Sequence, residues 1–147
     1  MTLAEQIGTL RRTLYRLLAR RLSGKTRRPL TQLLAVKYVA ARGVRTQAEL
    51  AERLLVDAPA VSRLVDRLEE EGLMKRCAGE DRRCVKLQAT DAGREATGAL
   101  EEATLSIDED AARCLTEAEL AELKRLLERL QEGLAQVVAQ PEGESQE

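Results

Sequence analysis

Three consecutive helical segments followed by one short β-hairpin, with a longer helix at either end, leave this chain few folds. The first helix is read from Leu3, Ile7, Leu10, Leu14, Leu17, Leu18 and Leu22, and Ser23-Gly24 with the basic run 25–28 ends it. A second is predicted to start at Thr31, as its N-cap, and to run through Leu33, Leu34, Val36, Tyr38 and Val39 to Arg42-Gly43. Thr46 and Glu49 have capping-box spacing ahead of Leu50, Ala51 and Leu54. Asp57 can cap the next helix, with Pro59 in its first turn and Val61, Leu64, Val65 and Leu68 facing the core until Gly72. At Leu73 the period changes. Residues 73–77 and 84–88 read as strands around the turn residues Gly79, Glu80 and Asp81. Thr90 then opens a helix to about residue 113, and a second capping box at Thr116 and Glu119 opens another to about Val138.

This order predicts a mainly α fold, a winged helix-turn-helix with N- and C-terminal dimerisation helices. We expect a single domain over residues 1–140. Within it 31–90 form the winged unit, 1–22 and 91–138 the dimerisation helices, and 141–147 a disordered tail. The stripe of Leu120, Leu123, Leu126, Leu127, Leu130, Leu134, Val137 and Val138 exceeds what a small winged unit can cover. A two-fold contact between the termini of two chains would bury it; packing on its own domain is the alternative.

Charge points to the partner. Residues 1–90 hold 19 Lys+Arg against 10 Asp+Glu, a balance of +9, whereas 91–147 hold 5 against 15, a balance of −10. A half this basic suits a polyanion, and 19 of the 24 basic residues are Arg, whose planar fork matches phosphate and guanine. Codon bias can account for the arginine excess but not for the asymmetry. The chain has no His. That removes Ser-His-Asp and Cys-His nucleophile pairs and the usual zinc sites, so neither an enzyme nor a cofactor nor a metal is expected. The N-terminus keeps its charges throughout and is not read as a secretory signal, and no apolar run reaches the ~20 residues of a membrane span. Three cysteines without such a signal imply free thiols in the cytoplasm.

Residues 46–93, TQAELAERLLVDAPAVSRLVDRLEEEGLMKRCAGEDRRCVKLQATDAG, resemble the MarR family of bacterial transcription regulators. The resemblance rests on AVSRLVDRLEEEGLM as recognition helix and exit into the wing, on Asp81-Arg82-Arg83 as the D-x-R wing signature, and on the 87–93 segment ending in Gly93. The order of helices and the stretch LTEAELAELKRLLERL, residues 115–130, extend it over most of the chain. It implies a homodimer on double-stranded DNA at a pseudo-palindromic operator, acting as a repressor released by a small-molecule effector or by thiol oxidation. The wing is one residue shorter than in many relatives, and no cysteine lies in residues 1–22, so the peroxide-sensing mechanism of one branch does not carry over.

Candidate base-reading positions in the first turns of the recognition helix are Ala58, Pro59, Ala60, Ser62 and Arg63. Arg63 is the one long fork able to read guanine. Arg67, one turn on, meets phosphate or pairs with Glu70 or Glu71. Thr46, Gln47 and Arg53 flank the preceding helix, whose N-terminus can take a phosphate. The resemblance places Arg83 at the wing tip in the minor groove, with Asp81 orienting it and Arg82 left for phosphate. The family's ligand site lies between dimer helices and winged domain, where Tyr15, Arg16 and Tyr38 are candidates; tyrosines at helical spacing also serve as core.

The cysteines admit two readings. All three can be small apolar fillers, and for Cys114, at a helix end, that is the expectation. Cys77 and Cys84 lie on opposite strands. A turn centred on Glu80-Asp81 would set Cys77 opposite Cys84 and Met74 opposite Leu87, close enough for a redox disulfide. A rival of another class is an interaction adaptor whose winged helix has lost DNA binding.

Overall fold

The structure, a computed structural model, describes residues 1–79 and 85–143. Its elements are α1 (Leu3–Leu22), α2 (Leu30–Ala41), α3 (Gln47–Leu54), α4 (Ala58–Glu70), β1 (Met74–Ala78), β2 (Val85–Ala89), α5 (Asp91–Ala96), α6 (Gly98–Cys114) and α7 (Glu117–Ala139). Local capping accounts for most starts. The hydroxyls of Thr2, Thr46, Thr90 and Thr116 and the carboxylate of Asp57 each accept a backbone N–H of the turn they open. At α1 and α7 the N3 glutamate completes a reciprocal box. At α3 it does not: Glu49 Oε2 accepts instead from the N–H of Arg45, at 3.0 Å.

Thr31 is not an N-cap. Helix α2 begins two residues earlier than that cap implies, with Pro29 in the capping position and no side-chain cap, because the proline ring already fixes a φ of −58°. The helix expected from Thr90 to about 113 is interrupted at Thr97. That side chain is 3% exposed and donates Oγ1 to the carbonyl of Arg94 at 2.7 Å, competing with the helical ladder just where Gly98 offers no resistance to a bend.

The core of the winged unit gathers Val36 and Val39 of α2, Leu50 of α3, Val61, Val65 and Leu68 of α4, and Leu73, Met74, Leu87 and Ala89 around the hairpin. The two strands pair antiparallel, with Met74 opposite Ala89, Arg76 opposite Leu87 and Cys77 opposite Lys86. This corrects the expected register: Cys77 does not face Cys84, which lies outside the described residues. The N–H of Thr90 reaches the carbonyl of Leu73 at 3.1 Å and continues this offset past the strand end, while the N–H of Leu87 reaches the carbonyl of Arg45, outside the hairpin, at 2.7 Å. A shift of two positions keeps Met74, Leu87 and Ala89 on the inner face, so the apolar pattern cannot distinguish the alternatives.

Gly93 closes the unit. Its N–H bonds Thr90 Oγ1, Thr90 Oγ1 in turn donates to the carbonyl of Gly72 at 2.6 Å, and a Cβ at Gly93 would stand 2.1 Å from the carbonyl oxygen of Leu73. Glycine is required there by space, not by φ.

The chain divides into two compact units, Met1–Leu105 and Ser106–Glu147, with the division inside α6. In the second unit α7 buries none of its residues, and Leu123, Leu126, Leu127, Leu134, Val137 and Val138 are exposed. In the first, α1 buries only Leu18 and Leu22 and exposes Leu3, Ile7 and Leu10. Cys114 is exposed, not a buried filler, since the last turn of α6 packs nothing over it. No helix among the described residues is long and apolar enough to cross a membrane.

Candidate nucleic-acid interface

Helices α3 and α4 are joined by Leu55, Val56 and Asp57. Leu55 takes a left-handed conformation, φ 57° and ψ 44°, that bulky residues avoid. Its N–H bonds the carbonyls of Ala51 and Glu52, and that of Val56 returns to Ala51, so the last turn of α3 holds the strained residue in place. The chain thus reverses within three residues and presents α4 with its apolar side inward and its polar side free.

On that free side lie the five expected base-reading positions. Ala58 and Pro59 are exposed in the first turn, Ala60 and Ser62 are half-buried, and Arg63 is exposed with no protein partner among the described residues. Arg67 is exposed too, but its Nε stands 3.5 Å from Glu71, a carboxylate that also pairs with Arg28. The two arginines one turn apart therefore differ: the first is uncommitted, the second shares an anion.

Beside them, Thr46 caps α3 with Oγ1 accepting from Glu49 at 3.2 Å. Arg53 is exposed on α3 and lays its guanidinium 5.9 Å from the Tyr38 ring centroid. Gln47 is turned elsewhere, and this exposes a residue that sequence reasoning missed. Arg76 of β1 donates Nε to Gln47 Oε1 at 2.9 Å, and its Nη1 lies 2.8 Å from Asp66 and 3.1 Å from Glu69. Its own N–H donates to Glu69 Oε2 at 3.0 Å, so one guanidinium ties α3, α4 and β1 together. The available signal was Asp66 and Glu69, two carboxylates three residues apart on one face of α4, just ahead of a basic strand. Asp81, Arg82 and Arg83 of the wing lie outside the described residues.

The effector candidates are only partly brought together. Tyr15 and Arg16 line a groove with Gly8, Arg11 and Arg12, all from α1, and Tyr38 does not line it. Tyr38 is near enough to matter electrically. Burial pushes its hydroxyl above the ordinary value, helped by Tyr15 and opposed by Arg53, Arg42 and Arg11.

The family model for the MarR family matches residues 29–85, from the start of α2 into β2. Over these residues the chain is similar to the MarR family. Among solved structures, wild-type MarR of E. coli in its apo form is 25% identical, covering 88% of this chain and 96% of that one with a TM-score of 0.72. A transcriptional regulator designated PA3341 is 28% identical over 92% of this chain and 99% of its own, with a TM-score of 0.76. A Thauera aromatica protein, provisionally named as the transcriptional regulatory protein for the hcr operon, is 36% identical over 86 residues, 58% of this chain. The chain spans about half the length of that curated relative, 52%. MarR-family proteins are transcription regulators, not enzymes.

Proposed function

We propose that this chain is a cytoplasmic repressor of the MarR family that binds duplex DNA as a homodimer, with α4 in the major groove. One observation carries the reading: Arg63 projects from the free side of α4, unpaired among the described residues, while Val61, Val65 and Leu68 anchor the other side in the core. An uncommitted guanidinium in that place fits bidentate readout of guanine. Ala58 and Pro59 offer apolar contact to a thymine methyl, and Ser62 a hydroxyl. Arg67, Arg53 and the capped start of α3 at Thr46 suit phosphates, as do Arg82 of the wing and, in the minor groove, Arg83 oriented by Asp81.

The dimer rests on α1 and α7, where Leu3, Ile7 and Leu10 of the first and Leu123, Leu126, Leu127 and Leu134 of the second are exposed in the single chain. Two copies related by a two-fold would present the two α4 helices to half-sites about 34–36 Å apart. A small-molecule effector, or oxidation of a thiol such as Cys77 or Cys84, releases the DNA.

Fluorescence anisotropy with a duplex from the gene's own promoter tests this. Affinity should fall steeply with salt. Arg63→Ala should cost about 1–3 kcal/mol on the cognate site and relax specificity at one base pair. Equal binding by the variant, or by a duplex of scrambled sequence, would count against α4 as the reader.

A further inference from the structure

The start of α2 carries a feature that the DNA-facing surface does not use. Gln32 occupies the third helical position, where a Glu or Gln side chain ordinarily returns to the N–H of the capping residue. Here the capping residue is Pro29, which has no N–H. Gln32 is nonetheless only 7% exposed, and its amide makes no hydrogen bond among the described residues. No side-chain nitrogen or oxygen sealed from solvent lacks a partner among those residues, so the amide is not sealed: it opens onto a cleft. That cleft, of about 570 Å³, is lined by Gln32 with Thr26, Arg27, Arg28, Pro29, Arg67 and Glu71.

Nearly everything there donates. The backbone N–H groups of Leu30 and Thr31 have no acceptor among the described residues, since the first bond into Pro29 comes from Gln32. No acidic residue sits in the first turn of α2 to offset the positive helix end. Arg27 is exposed without a partner among the described residues, and Arg28 and Arg67 share the single carboxylate of Glu71. Three guanidinium groups, an amide and a helix N-terminus converge against one acid.

We infer that this cleft is an oxyanion site, taking a carboxylate or a phosphate group. The anion sits at the N-terminus of α2, held by the Gln32 amide, Arg27 and Arg28. An anion there competes with Glu71 for Arg28 and Arg67. Arg67 belongs to α4, so occupancy reaches the DNA-facing helix; this coupling rests on the function proposed above, whereas the site itself does not. The oxyanion is either a free organic anion or a phosphate of the DNA backbone, and the two are separable.

The test uses the full chain and two probes, inorganic phosphate and benzoate, each against chloride at matched ionic strength. At ten times its Kd, a bound probe should raise Tm by about 3–5 °C over chloride. Arg27→Gln and Gln32→Leu should each abolish most of that rise. Pro29→Ser supplies both a side-chain cap and an N–H for Gln32, so it should raise the baseline Tm yet lose the anion response, which rules out unfolding as the cause. No rise in the wild type with either probe, or a rise kept by all three variants, overturns the site. Duplex binding in probe-free buffer then names the source. If Arg27→Gln weakens it several-fold and phosphate competes, the occupant is the DNA backbone. If the variant binds as the wild type does and loses only the effect of added anion, the occupant is a free anion. A chain that binds no duplex contradicts the proposed function and leaves the melting data to decide the site.

Discussion

Helices α4 and α7 carry leucines and valines at the same three- and four-residue spacing, and the chain treats them in opposite ways. In α4, Val61, Val65 and Leu68 are at most 1% exposed against α2, α3 and the hairpin. In α7, Leu126, Leu134 and Val138 are 46%, 52% and 85% exposed. Periodicity states that a helix has an apolar side; it does not state where the cover comes from. For α4 the cover is the same chain. For α7 we propose a second copy, and the contrast can be broken or sharpened by substitution.

The largest effect is expected in α7. Leu126→Glu with Leu134→Glu removes nothing buried within one chain, so helicity by circular dichroism should persist. Sedimentation should report monomers, and operator affinity should drop by about 10²–10⁴ as two linked half-site contacts become one. A double variant that stays dimeric would end the comparison as drawn. Within the winged unit, Gly93→Ala should cost about 3 kcal/mol or more in urea denaturation, because the new methyl meets the backbone carbonyl of Leu73 and not a movable side chain. Arg76→Ala strips the tie between α3, α4 and β1. At 22% side-chain exposure we expect a loss of about 2–3 kcal/mol, with Arg76→Lys recovering little because one ammonium cannot serve Gln47, Asp66 and Glu69 together. The smallest effect has the opposite sign. Leu55 is 72% exposed and left-handed, so Leu55→Gly should stabilise by about 0.5–1 kcal/mol, the strain relieved outweighing the added chain entropy.

These sites divide according to how far the relevant information travels along the chain. Thr46, Asp57, Thr90 and Thr116 each bond a backbone N–H three residues on, so the residue and its partner are read together and the helix starts were legible. The apolar side of α4 was legible for the same reason, and with it the outward placing of Arg63. The Pro29 start was missed because a proline ring organises the first turn without any side-chain signal. The break at Thr97 was missed because a hydroxyl bonding back three residues looks the same in sequence as one facing solvent.

The order of helices and hairpin apart from the break at Thr97, the caps at Thr46, Asp57, Thr90 and Thr116, the basic first half and the resemblance to the MarR family can be read from the sequence alone. Each of these depends on residues within a turn of one another or on composition. Tertiary contacts alone settle that Cys77 stands opposite Lys86, that Arg76 reaches back 29 positions to Gln47, that Gly93 lies against Leu73, and that the Gln32 amide opens onto a cleft with no partner among the described residues. The physical reason is the same in each case. Strand register, a long-range ion pair and a close backbone approach are settled by which distant groups fold into contact, and a two-residue slip or an amide turned toward a cleft leaves the local pattern unchanged.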